Sequence, residues 1–279
     1  MKFNEMAFST YYEAIVAELR GAIRRYNKIW EEVMCRKPDE REEYLSTVEH
    51  HRIAVVLLAC ALLEQAINFY LSTKCDPARF EGLGNRKGKK PSLFEKWAEL
   101  PGTFVKGYKF DEKSQLGRDL KTIIARRNRI MHSKPKLSID NHIRHKGYEP
   151  KVALDEHDFM RRCASLPYRL IEYVLGFDDA FYEMCSLQTY CGTAAREFES
   201  AQYRIKHFVK RFPLLVKEIM DQGYDEERAT KFAHLIGSVP ALDDKGNVLV
   251  KTERRFLVLK PLRFFSNRGA NFCMQDFEG

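Results

Sequence analysis

The sequence predicts an all-α protein: an up-and-down helical bundle with extra C-terminal helices and a small β-hairpin-like appendage. Three observations carry this prediction. Apolar residues recur at steps of three and four over residues 11–34, a long apolar stretch fills 40–73, and strand-like apolar runs occur only beyond Pro240. The 279 residues suit a bundle over 1–190 and a helical extension with short strands over 191–279, to which no role attaches.

Hydrophobic residues at 44% beside 31% charged exclude a disordered chain and leave apolar surface for a full core. Lys and Arg number 47 against 39 Asp and Glu, a net charge of +8 that attracts polyanions and makes such binding salt-sensitive. The seven cysteines form an odd set without a Cys-x-x-Cys pair, and no export signal opens the chain, so reduced thiols and a cytoplasmic location are expected. The longest apolar run, Ile53 to Leu63, is well short of the ~18 residues of a membrane span, and no membrane role is expected.

The elements follow in order. Tyr12, Ile15, Leu19, Ile23, Tyr26, Trp30 and Val33 define one face of a long amphipathic helix that Pro38-Asp39 ends. A second helix runs from about Glu40 to Thr73; its middle is apolar on all sides, which makes it the central, most buried helix. His50-His51-Arg52 at its opening read as cap and solvent contacts. Residues 82–91 combine three glycines with Arg86, Lys87, Lys89 and Lys90 and form an exposed loop, either merely solvated or touching phosphate. Gly88-Lys89 is followed by Lys90 rather than Ser or Thr and no strand precedes it, which excludes a phosphate-binding loop of the nucleotide-hydrolase type.

Ser92-x-x-Glu95 is a capping box that starts a short helix to Leu100. A third long helix spans about Asp111 to His132 and closes at Pro135. Residues 134–154 read as loop, a fourth helix begins near Asp155, and Pro167 is expected to kink or split it. Helical pattern continues through 193–220 and 225–237, and 248–250 and 256–259 read as two strands around a charged turn.

Chemistry concentrates at the end of the third long helix, in Ala125-Arg126-Arg127-Asn128-Arg129-Ile130-Met131-His132. Asn128 and His132 are four apart and share a helix face, with Arg127 adjacent, so the three can converge on one ligand. A guanidinium binds phosphate bidentately under permanent charge, and an imidazole moves a proton near neutrality; together they are what metal-free cleavage of an RNA backbone needs. The same residue types also serve as ordinary caps at helix C-termini.

Arg127-Asn128-x3-His132, in a helix that follows a long buried helix, resembles the signature of the HEPN superfamily, an Arg and a His four to six residues apart with a polar residue directly after the Arg. Arg126 also fits the spacing, but only Arg127 is followed by Asn. Glu64 and Asn68, four apart in the buried helix, and Lys96-Trp97 are similar to further elements of that superfamily. The resemblance covers about residues 9–190 and rests on some fifteen of them; 191–279 lie outside it.

It implies a four- or five-helix bundle that dimerises so that two Arg/His motifs face one cleft. His132 would be the general base or acid, Arg127 would stabilise charge on the scissile phosphate, and Asn128 would orient phosphate or imidazole. Glu64 and Asn68 would support Arg127, or else merely end the apolar run at the helix surface. Arg126, Arg129 and Lys134 would flank the RNA with the basic loop. The products would be a 2′,3′-cyclic phosphate and a 5′-hydroxyl, from tRNA or other single-stranded RNA. No metal or cofactor is called for. The chain would act as a toxin-like or antiviral-defence effector, with an antitoxin or defence protein as partner. The alternative is a catalytically silent HEPN module that binds nucleotide or a partner protein.

Asp140, His142, His145 and His157 are the other conceivable metal ligands, but they lack the His-Glu-x-x-His helix of a zinc protease, and a loop histidine here can instead contact RNA. Basic Arg196, Arg204, Lys206, His207, Lys210, Arg211 and Lys217 accompany apolar residues over 193–220, either as the wet face of an amphipathic helix or as an RNA-guiding surface.

Overall fold

The computed structural model describes residues 5–37, 40–75, 82, 90–132, 134–137, 143–146, 155–178, 182–237, 240–245, 247–252 and 256–262. It is mostly helical, in the order α1 (Glu5–Met34), α2 (Arg41–Lys74), α3 (Leu93–Ala98), a 3-10 turn (Leu100–Thr103), α4 (Gln115–Met131), β1 (Lys134–Leu137), β2 (Ile143–Lys146), α5 (Asp155–Leu175), α6 (Tyr182–Met220), α7 (Glu226–Ile236), then β3 (Ala241–Leu242), β4 (Val248–Lys251) and β5 (Phe256–Leu259). Two compact units divide the chain, Met1–Asn27 with Tyr44–Ser200 and Lys28–Glu43 with Ala201–Gly279. The expected division at 190/191 lies inside α6.

The first unit is built on α2, where Val55, Val56, Ala59, Cys60, Leu62, Leu63, Ala66, Ile67, Tyr70 and Leu71 are buried. By length and composition Val48–Lys74 could cross a membrane, and half of that stretch is buried inside the fold. The helix is not buried on every side, since Ala61 is exposed and Glu64 and Asn68 are half-buried. Arg52 is no solvent contact: it is 5% exposed and paired with the equally buried Glu49 one turn away. Burial raises the Glu49 carboxyl and lowers the Arg52 guanidinium, and each charge opposes the other's shift.

The short helix α3 starts as its sequence predicts. Ser92 Oγ accepts from the Glu95 N–H at 3.2 Å while Glu95 Oε2 accepts from the Ser92 N–H at 2.6 Å, the reciprocal capping box. Buried Trp97 anchors it, and Tyr108 donates to the Trp97 carbonyl. The start of α4 is set by Ser114, whose hydroxyl accepts from the Gly117 N–H at 3.1 Å. Residue 117 must be glycine, because a Cβ there would stand 2.7 Å from the Asp111 and Glu112 backbone.

Of the expected kink or split at Pro167, the split does not occur: α5 runs on through the buried proline, with buried neighbours on both sides of it. Residues 134–137 and 143–146 are an antiparallel pair, with Pro135 opposite His145, where loop was expected. Lys-Pro-Lys-Leu and Ile-Arg-His-Lys lack the β-branched alternation that flags strands, and proline is admitted because a two-stranded ladder consists of edges only.

In the second unit Phe208, Phe212, Leu215 and Ile219 of α6 form one core with Phe232, Ala233 and Ile236 of α7 and with Val248, Val250 and Leu259 of the sheet. The sheet has antiparallel order β3-β4-β5, one short strand more than the sequence suggests. Alternation places Val248 and Val250 inside and Lys251 outside. Asp225 caps α7 at the Arg228 N–H, and Gly237 ends it at φ 62°.

Candidate functional site

The motif occupies the C-terminal turn of α4, and ion pairs to α5 fix how that helix is rotated. Asp119 is 4% exposed, yet its carboxylate accepts from Arg162 at 3.1 Å, Arg169 at 2.9 Å and Gln115 at 2.7 Å. A buried carboxylate persists because these charged and polar donors replace the lost water. Leu120 and Ile123 are buried on the same side. Two turns beyond Asp119, the Arg126 guanidinium lies over the Phe159 ring, 4.0 Å from its centroid. Burial and the repulsion of Arg52 hold its pKa below the ordinary value. Arg126, expected among the RNA contacts, is thus turned into the bundle.

Arg127 is half-buried at the border between the buried and wet sides of α4, while Asn128, Arg129 and His132 are exposed. Asn128 bonds to both Arg127 and His132. Its side-chain oxygen accepts from Arg127 Nη1 at 3.1 Å, and its carbonyl accepts the His132 N–H at 2.9 Å. His132 is the C-cap, at φ −119° and ψ 21°, so the chain leaves the helix at the imidazole itself. Among the described residues, no side-chain hydrogen bond orients that ring.

Glu64 and Asn68 are brought together, but by Lys96. Its ammonium donates to Glu64 Oε1 and Asn68 Oδ1, both at 3.0 Å. The three elements of the resemblance outside α4 therefore meet at one cation, which ties α3 to α2. One turn before Glu64, the buried Cys60 thiol points at the Ile123 carbonyl of α4 at 3.8 Å. Burial pushes that thiol up to about 12, the Arg127 guanidinium pulls it down and Glu64 pushes it further up. Arg127 and Glu64 thus both lie within electrostatic reach of Cys60, while the ion pair of Glu64 among the described residues is with Lys96.

Cys60, Asp119 and the Glu49–Arg52 pair were missed in the sequence. A carboxylate at position 119, directly before Leu120 on the apolar side of α4, was the readable signal, since such a charge demands a buried partner. Cys60, Glu64 and Asn68 at steps of four were another.

Lys90 is exposed, and Arg86, Lys87 and Lys89 lie outside the described residues. Lys134 stands at the first position of β1, directly after the motif, and pairs with Lys146. Asp140 and His142 also lie outside the described residues, and His145 is in β2. His157 belongs to the packed interior: its Nδ1 is 2.8 Å from the Tyr26 hydroxyl, and its ring stacks on Tyr26 and contacts Phe198. Among the described residues, no three His, Cys, Asp or Glu side chains gather as a metal site. No family model, curated protein or solved structure matches the chain.

Proposed function

We propose that this chain is a HEPN-type, metal-independent endoribonuclease acting through Arg127 and His132. The observation that carries the reading is the Arg127–Asn128–His132 arrangement. A half-buried guanidinium donates to the Asn128 side-chain oxygen, and the Asn128 backbone carbonyl accepts the N–H of the exposed His132, at a helix end opening onto solvent. Such a group can receive a phosphodiester from outside. Arg127 neutralises the equatorial oxygens, and His132 takes the 2′-hydroxyl proton or returns one to the leaving 5′-oxygen. Asn128 sets the guanidinium, and Arg129, Lys134, Lys90 and the loop residues Arg86, Lys87 and Lys89 contact flanking phosphates.

In this reading the active unit is a homodimer acting in the cytoplasm on tRNA or other single-stranded RNA, as a toxin-like or defence effector restrained by a partner protein. Glu64 and Asn68 act on the site by holding Lys96, and with it α3, to α2, the helix whose Cys60 feels the Arg127 charge.

One observation favours the second reading, a silent HEPN module that binds nucleotide or a partner. The His132 ring has no orienting hydrogen bond among the described residues, whereas catalytic imidazoles are normally oriented by a second group. Induced expression separates the two. Growth arrest by the wild-type chain that His132→Ala relieves supports the ribonuclease; equal arrest, or none, puts the binding module first.

A further inference from the structure

Helix α6 presents a second surface built for a polyanion. Phe208, Phe212, Leu215 and Ile219 point into the core of the second unit. On the opposite side Tyr203, Lys206, His207, Lys210, Leu214 and Lys217 are all exposed, at steps of three and four. Tyr203 to Lys217 covers about 21 Å of helix. Not one Asp or Glu occurs from Ala201 to Lys217. Solvated helix faces ordinarily intersperse both signs and form pairs four residues apart. Among the described residues, Lys206, Lys210 and Lys217 make no ion pair.

The aromatic at the head of this stripe narrows the ligand. Tyr203 is 70% exposed, and its ring lies 4.5 Å from that of His207, a pair of rings turned outward beside three ammonium groups. Lysines alone would suit any anion. An open aromatic face in line with them matches the alternation of base and phosphate in a single strand. We propose that this face of α6 binds single-stranded RNA, one base stacking on Tyr203 and the phosphates following Lys206, Lys210 and Lys217. The surface shares no residue with the α4 motif, and its binding does not depend on cleavage.

The test uses the full chain carrying His132→Ala, so that no probe is cut, and a fluorescein-labelled single-stranded RNA of about 12 nucleotides. Tyr203→Ala is expected to weaken binding about tenfold while Tyr203→Trp retains it. Lys206→Gln with Lys210→Gln is expected to lower the slope of log affinity against log salt by about 1.4. Circular dichroism checks that α6 persists, as removal of exposed side chains should allow. Unchanged affinity and slope in these variants would overturn the proposal. So would loss through the lysines alone with polyglutamate displacing the RNA equally well, a result that assigns the face to an acidic polypeptide.

Discussion

In the proposed ribonuclease Arg127 would stabilise charge and His132 would transfer the proton, and each role has its own diagnostic substitution. Arg127→Lys keeps the charge but loses the planar fork that holds Asn128 Oδ1 and, in this account, would span two phosphate oxygens. We expect cleavage to fall by roughly 10²–10³ at unchanged stability, measured as single-turnover rates; a wild-type rate would reduce Arg127 to a helix cap. A second residue sets an acid limit on the fold. His234 is packed on Phe212, and burial, with Arg36 nearby, lowers its pKa to about 4. Unfolded, it titrates near 6.5, so below that pH the unfolded chain binds a proton that the folded chain refuses. Stability from this group is complete above about pH 6.5 and is lost as pH falls towards 4, by at most about 3 kcal/mol. Urea midpoints compared between wild type and His234→Phe should shift against the wild type in acid, the wild type showing the steeper pH dependence. Parallel curves would contradict the assignment.

Each helix owes its position to a few local devices, and these differ in how well the sequence discloses them. The Ser92–Glu95 box and the apolar steps of α1 are local, so the sequence displays them and the structure repeats them. The hairpin after α4 is not local in that sense, because its ladder joins segments without strand composition. Of the candidate site, the placement of Arg127, Asn128 and His132 on one helix end was readable from spacing alone. That Arg126 turns to Phe159, or that Lys96 takes both Glu64 and Asn68, depends on how α4 meets α5 and how α3 meets α2, which no single-helix pattern encodes. Gly117 is the most demanding position of α4. Gly117→Ala forces a Cβ against the Asp111–Glu112 backbone, and we expect a loss of roughly 1–3 kcal/mol despite alanine's higher helix propensity. Denaturant titration checks this; a stabilised variant would show that the α4 entry relaxes freely.

At the scale of the whole molecule, one helix end provides a single imidazole, whereas acid and base must stand on opposite sides of the phosphate. A two-fold dimer would bring two His132 side chains to one cleft. Wild-type chains mixed with excess His132→Ala chains and allowed to exchange should then lose activity beyond dilution. Strictly proportional activity with a monomeric mass would refute the shared site. The +8 charge predicts salt-sensitive RNA affinity for either reading and so cannot separate them. The most direct test of the central claim is incubation of purified protein with RNA in EDTA, followed by chemical identification of the new ends. The account predicts 2′,3′-cyclic phosphate and 5′-hydroxyl ends, with rates lowered by roughly 10²–10⁴ in His132→Ala. Cleavage that stops in EDTA and returns with Mg²⁺ or Mn²⁺, or that His132→Ala leaves intact, would contradict it.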